Sequence, residues 1–453
     1  MPFSAPPPRP PQPQPNPPQQ RSFRVLLASE FVSLVGDRLA MVALIALVFD
    51  LTRSVSVVAG LMLVKAVPAV LLGGLAGSVV DRLDRKAVMV GANALQGLLV
   101  LLIPATSHLT VAVTAYLAMS IVNQFFLPAR AATIPDLVPP ERLMAANSRF
   151  GLAFVTAIAV GPAVGGWVAD RFGLAMAFYV DSATFLIPAL AVATLVLPTT
   201  AHRRPTQSRV TLRSLLTATA EGMRHARTDR STGVALTAAT AAALVIAVMS
   251  VLGVVVAQDT LGLSVAGYGL MMSAMGAGML VAALTIGSRR SGRGGGRGGG
   301  RGGGRGGGRG RGQGDGRRSG RGSERAPMIG LLLTGGGLAI LPWLTTLLPA
   351  LACSAVIGAG VLTVQISTQT TLQSAPPDLR ARLISLGQSV TGLAQLTAIV
   401  LTAALTGPLG ASWVLCGTGI ATAAVALALS PRHSTPTSAT KTPVTASPEG
   451  PHS

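Results

Sequence analysis

About twelve stretches of roughly twenty apolar residues, each nearly free of charge, run through this chain, and no other feature limits its fold as strongly. They fall near 24–50, 55–80, 87–105, 109–130, 144–170, 174–197, 232–257, 265–288, 328–346, 348–373, 383–406 and 409–430. Only 11% of the 453 residues are charged, against about 25% in a soluble protein. Backbone groups in lipid must be hydrogen-bonded within their own segment, and the runs are too long and continuous for alternating barrel strands. The expected fold is therefore all-α, with twelve transmembrane helices in a multi-pass protein of the cell membrane.

The net charge of +20 is confined to a few places. Residues 289–325 carry twelve Arg against Asp315 and Glu324, and residues 199–230 carry seven Arg against Glu221 and Asp229. Arg82, Arg85, Lys86, Arg130, Arg142, Arg380 and Arg382 fall in loops on the same side, opposed by only Arg53 and Arg171. This is the positive-inside asymmetry, and it predicts that both termini are cytoplasmic. Residues 1–22 are Pro- and Gln-rich without a basic head or cleavage site, which argues for a disordered tail over a signal peptide. Residues 431–453 read as a second disordered tail.

The two halves of the chain align loosely. Asp50 and Gly60 recur as Asp259 and Gly269, an offset of 209, while Pro139-Pro140-Glu141-Arg142 recurs as Pro376-Pro377-Asp378-Leu379-Arg380, an offset of 237. A Gly/Arg-rich tract lies between these points, so two six-helix bundles (23–198 and 232–430) are expected, with a cytoplasmic insertion at 289–326 in the second. A central loop with an amphipathic segment, 199–231, joins them. Parallel repeats of this kind suit a transporter. The tract is expected to be a flexible linker; contact with anionic lipid is a second reading, and the lack of interleaved aromatic residues argues against nucleic acid.

Much chemistry can be set aside. The lysines are Lys65, Lys86 and Lys441, and none follows a phosphate-cradling loop, so the chain is not a self-contained ATP-driven pump. His108, His202, His225, His433 and His452 are scattered, which gives no zinc site, and no nucleophile–base set points to an enzyme. Cys353 and Cys416 sit in apolar runs and read as small hydrophobes. No cofactor is expected.

What remains is secondary transport. Glu30 and Asp37 are seven residues apart and share one face of the first span. At 1.5 Å per residue Asp37 lies about 20 Å from Arg24, and Lys65 about 24 Å from Asp81, so the two are at similar depth in adjacent helices and an ion pair can form. Asp37 with Arg38 and Lys65 is either a fixed structural network or the surroundings of a titrating Asp37. Glu30 is expected to be hydrated near the inner surface, and Asp181 to cap or pair locally near the outer end of the sixth span. The second half offers neutral amides instead: Gln365, Gln369 and Gln373 at one helical spacing, and Gln388 with Gln395 at another. They suit either substrate contact or hydrogen bonding between helices.

Two motifs tie the chain to a known family. Gly77-x-x-x-Asp81-Arg82-x-Asp84-Arg85-Lys86 resembles the loop 2–3 signature of the major facilitator superfamily, with Asp84 where Gly is usual, as in its drug- and siderophore-exporter branch. Gly161-Pro162-Ala163-Val164-Gly165-Gly166 resembles the antiporter signature, although Ala157 and Ser148 replace its upstream glycines. Pro128-Ala129-Arg130, Pro135-Asp136-Leu137-Val138-Pro139, Ala145-Ala146-Asn147 and Arg380-Ala381-Arg382 add to the likeness. The resemblance implies a proton-coupled exporter of amphipathic small molecules, similar to enterobactin and macrolide exporters; uptake or transport without protons, and a membrane scaffold that uses the Arg-Gly tract for lipid or nucleic acid, are the other readings, and a monomer is expected. Asp37, Glu30 and Asp181 are then proton-site candidates, and Gly77, Asp81, Arg82, Arg85 and Lys86 form a conformational latch. Gln365, Gln369, Gln388 and Gln395 are cavity candidates, and the partners are substrate, protons and lipid.

Overall fold

A computed structural model describes residues 17–105, 108–195, 223–294 and 315–430. Parts of the expected tails, central loop and Gly/Arg tract (1–16, 199–222, 295–314 and 431–453) lie outside the described residues.

Twelve long helices account for nearly all of the described chain. In the first half they are α1 (Pro17–Thr52), α2 (Val55–Val80), α3 (Arg85–Val100), α4 (Leu109–Leu137), α5 (Leu143–Phe172) and α6 (Leu174–Ala193). The second half contains α7 (Arg230–Val255), α8 (Val265–Gly294), α9 (Asp315–Ile340), α10 (Leu347–Gln373), α11 (Pro377–Leu409) and α12 (Ala411–Leu429). Eleven are long and apolar enough to cross a membrane, and α2 contributes the apolar stretch Val55–Ala69. The all-α, twelve-helix expectation therefore holds. Three boundaries differ from the sequence reading: α1 begins at Pro17 inside the expected tail, α4 continues past Arg130, and α8 and α9 extend into both ends of the Gly/Arg tract.

Local chemistry sets several helix ends. The Asp84 carboxylate accepts from the backbone N–H groups of Lys86 and Ala87 and so starts α3. Asp229 caps α7 in the same way through Thr232 N–H. Partial burial works against the Asp229 charge, but hydrogen bonds from Thr232 and Ser231 outweigh it and hold this carboxyl below its usual range. Gly173, between α5 and α6, and Gly410, between α11 and α12, have φ of +88° and +83°. They are 237 residues apart, the same offset as the Pro-Pro loops, and each makes a left-handed turn that suits glycine. The duplication thus extends to backbone conformation.

An even number of crossings places the start of α1 and the end of α12 on one face, here called the terminal face. Toward the opposite, distal face a single apolar core joins the bundles: Leu39 to Phe49 of α1 and Val58 to Met62 of α2 meet Val245 to Ala257 at the end of α7, with Tyr268, Ile357 and Ala398. At mid-depth Val155 of α5 still packs with Met279, Ala282 and Leu362 of the second half, and nearer the terminal face the cores are separate. One holds Phe23, Leu26, Met89, Phe126 and Phe150 of the first half, and another Leu236, Leu372, Leu383 and Leu386 of the second. The bundles share apolar packing at the distal end and at mid-depth and have separate cores nearer the terminal end.

Candidate functional site

Side chains from six helices of the first half, α1 to α6, surround a cavity of about 380 Å³ on the terminal side of the joined core. Its wall includes Glu30, Asp37, Arg38, Lys65, Arg130, Asn93, Gln96, Tyr116, Asn123 and Gln124, with Phe126, Phe154 and Phe185 as apolar surface. A cavity of this size, apolar in part with convergent polar groups, is the usual form of a small-molecule site.

Glu30 is not hydrated near the surface as expected. It is 5% exposed and forms an ion pair with Arg130 of α4. A carboxylate buried among helices needs a cation, and α4, running on to Leu137, supplies one about two turns before its end. The pair is incompletely satisfied: Glu30 Oε2 and Arg130 Nε have no hydrogen-bond partner among the described residues. The Arg130 guanidinium also lies 5.7 Å from the Phe150 ring centroid. The sequence reading placed Arg130 in a loop; the cue to its true position was the polar spacing of Asn123, Gln124 and Arg130 within an apolar stretch.

Asp37, Arg38 and Lys65 line this cavity together, as their matched depths predicted. The Asp37–Lys65 ion pair that their depths allow is not formed: among the described residues neither makes one within 4 Å. Arg38 lies 5.2 Å from the Phe154 ring centroid, with its Nε buried and unpartnered. The three charges face a common space without being locked to one another.

Asp181 is buried away from solvent on α6 and accepts from the Thr184 hydroxyl at 3.1 Å, so part of the local pairing expected for it is present.

The loop 2–3 motif divides its duties. Asp84 caps α3, and Arg85 donates at 2.7 Å to the Asp136 carboxylate and at 2.9 Å to the Ala132 carbonyl, fixing the start of α3 to the end of α4. Asp81 and Arg82 are exposed, and neither forms an ion pair within 4 Å among the described residues. Gly77 meets nothing within 4 Å of where a Cβ would stand, and Lys86 is half-buried.

The glycine motif on α5 works in two directions. A Cβ on Gly161 would stand 2.8 Å from the Val35 carbonyl oxygen and one on Gly165 2.5 Å from that of Leu39, so these glycines let α5 approach α1. Gly166 gives the same room to Val265 of α8, and Gly269 and Gly276 of α8 answer it against Pro162 and Ile158. The Ala163 N–H, one residue after Pro162, donates to the Ser273 hydroxyl of α8 at 2.7 Å. Ser273, a hydrogen-bonding link between the halves, had no signal in the sequence.

Gln365, Gln369 and Gln388 are exposed and Gln395 half-buried, and none lines this cavity. On α10 the first two share the side on which Gly358 meets Met275 of α8, turned away from the side packed on α7, where the Thr368 hydroxyl donates to the Ala235 carbonyl at 3.1 Å.

At the distal rim Arg53, with φ of +47°, stands 3.4 Å from Asp50 and 3.8 Å from Asp259 of the other half. The Ser264 hydroxyl donates to Asp170 at 2.5 Å across the same junction. Asp259 reaches this position from a π-helical turn, Val256–Thr260, that ends α7.

Known proteins share this architecture. The chain is 29% identical to an uncharacterized MFS-type transporter, YfiS, of Bacillus subtilis (strain 168), over 172 residues that are 38% of this chain and 41% of that protein. It is 26% identical to Multidrug resistance protein 2 of the same organism over 172 residues, 38% of this chain and 43% of that one. The chain thus spans about two fifths of the length of these relatives. Among solved structures, a peptide transporter, POT, superposes with a TM-score of 0.68 at 14% identity, covering 90% of this chain and 93% of that one. The nucleoside transporter NupG gives 0.67 at 14% identity, covering 90% and 99%. At such identities the likeness concerns the fold alone. A family model for the Major Facilitator Superfamily matches residues 26–301, more than half of the sequence, and the chain belongs to that superfamily of membrane transporters.

Proposed function

We propose that this transporter is a proton-coupled exporter of amphipathic small molecules, working by alternating access, with its terminal face in the cytoplasm of a cell whose plasma membrane it spans. The arginine-rich loops on the terminal face support the orientation. The single observation that carries the coupling is Asp37, an intramembrane carboxylate on a cavity wall beside Arg38 and Lys65 that is paired with neither. A carboxylate in such a place can exchange a proton for cargo, because its charge changes when it is protonated and its cationic neighbours respond. Glu30, committed to Arg130, holds α1 against α4 and is secondary in this role. Export is supported by the likeness to a multidrug resistance protein and by a cavity that combines aromatic surface with amides.

Gln365 and Gln369 would complete the substrate site from the second half when the bundles close on the terminal side. Asp81 and Arg82, exposed where the terminal cores are separate, would meet the second half in the other state, so the latch engages as access switches. The protein acts as a monomer.

Everted vesicles from a pump-deficient host, tested with a panel of antibiotics and siderophores, check this reading. Accumulation of a panel member driven by an acid lumen and abolished by a protonophore is expected. Accumulation indifferent to the proton gradient would overturn the coupling, and movement in the opposite direction would overturn export.

A further inference from the structure

Behind Asp37 lies a second, much smaller space. It measures about 10 Å³ and is lined by Asp37, Asp181 and Tyr116, otherwise by apolar side chains such as Met41, Leu44 and Phe178. A space of that size holds about one water molecule. Asp37 borders both this space and the large cavity, whereas Asp181 borders only the small one.

The surroundings of Asp181 are built to bring it there. A Cβ at position 36 would stand 2.6 Å from Asp181 Oδ1 and would overlap the Thr184 hydroxyl, so the glycine at 36 admits α6 against α1 beside Asp37. Asp181 is 1% exposed. Its Oδ1 takes the Thr184 hydroxyl, which is shared with the Asp181 carbonyl at 2.8 Å, and its Oδ2 is buried with no partner among the described residues. The titratable groups bordering the same space are Asp37 on α1 and Tyr116 on α4, while Arg38 and Lys65 lie on the wall of the large cavity, on the other side of Asp37. The Tyr116 hydroxyl is committed to Met41 Sδ at 3.1 Å. From α3 the contact is the Gly97 carbonyl, which accepts from Ser182, and on α5 the charged Arg149, Asp170 and Arg171 lie toward the helix ends.

We propose that Asp37 and Asp181 form a carboxyl pair that shares one proton through the one-water space, with Asp181 as the inner proton holder. The proposal rests on the reading of Asp37 as the coupling carboxylate. A buried carboxylate without a cation is costly, and two carboxyl groups facing one small space are disfavoured when both are ionised, so a single shared proton is the favourable occupancy. In the transfer the O–H bond of Asp37 breaks and its proton passes to the water. The water releases a proton to the Asp181 carboxylate, so one O–H bond is lost, one is formed, and the negative charge moves from Asp181 to Asp37. Asp37 then faces Arg38 and Lys65 as an anion, while the proton is held behind it, off the large cavity. Proton position thereby sets the charge of the cavity wall.

Infrared difference spectroscopy of the purified full chain in lipid, titrated with pH and without substrate, tests the pair through its carboxylic acid C=O bands. Asp181→Asn should remove one band and displace the titration of the remaining Asp37 band by about one pH unit or more, and Asp37→Asn should displace the Asp181 band reciprocally. Asp181→Glu, which keeps the carboxyl, should restore two coupled bands. If Asp181→Asn does not fold, the Asp37→Asn titration carries the test alone. Loss of one band with the other unmoved, or no band lost in Asp181→Asn, would overturn the proposal. The spectrum needs no transport, so coupled bands in a protein that ignores proton gradients would refute the transport reading and leave the pair standing.

Discussion

The two six-helix bundles share a backbone plan and differ sharply in their interiors. The first places Glu30, Asp37, Arg38, Lys65, Arg130 and Asp181 on cavity walls or in its interior, among helices α1, α2, α4 and α6. The second has no charged side chain clear of the ends of its apolar spans among its described residues; α7 buries an almost wholly apolar set, and the amides Gln365 and Gln369 are exposed on α10. A duplicated fold has therefore concentrated its ionisable chemistry in one copy. The division fits a machine in which one bundle responds to protons and the other supplies a surface for cargo and for the moving contact, with α5 and α8 as the glycine-smoothed interface between them.

The largest effect expected from breaking this contrast is at the buried ion pair. Arg130→Ala leaves the Glu30 carboxylate uncompensated and should destabilise the protein by about 3–5 kcal/mol, seen as loss of monodisperse folded protein on heating in detergent. Adding Glu30→Gln should recover part of that loss; no recovery would show that the two are not energetically coupled. At the interface between bundles, Gly269→Leu places a side chain against the Pro162 carbonyl and should cost about 1–3 kcal/mol through overpacking. It should also stop transport by forcing the distal packing apart, visible as a longer spin-label distance between α5 and α8.

Smaller changes should follow in the second bundle. Gln365→Ala with Gln369→Ala should weaken substrate binding severalfold in a direct binding assay while leaving its pH dependence unchanged; an altered pH profile would erase the proposed division of labour. At the distal rim Arg53→Ala removes a half-exposed pair with Asp50 and Asp259, which solvent screens to about 1 kcal/mol or less, so distances across that rim should shift only modestly in population. Deleting residues 295–314 should leave transport intact, and a loss would give the Gly/Arg tract a working role.

The fold was legible because lipid imposes length and polarity on every span: twelve apolar runs in the sequence became twelve helices. Part of the site was legible too, since simple rise per residue put Asp37 and Lys65 at one depth, and both line the cavity. Helix rotation and partners across the fold were not. Arg130 looked like a loop residue because charge usually ends a span, and only Glu30, 100 positions away, shows why it can stay inside. Asp181 looked peripheral because its depth was counted along α6 alone, and the approach to α1 depends on Gly36, whose lack of a side chain carries no visible polarity signal. The α5 glycines could be read as packing residues, but their partners on α1 and α8 follow from three-dimensional proximity.

The central claim is that coupling resides in the first bundle at Asp37. In proteoliposomes with an imposed pH gradient, wild-type protein should accumulate substrate against its concentration gradient, and Asp37→Asn, verified as folded by its elution and melting, should lose that accumulation entirely. Accumulation of substrate by Asp37→Asn at the wild-type level under the same gradient would contradict the account.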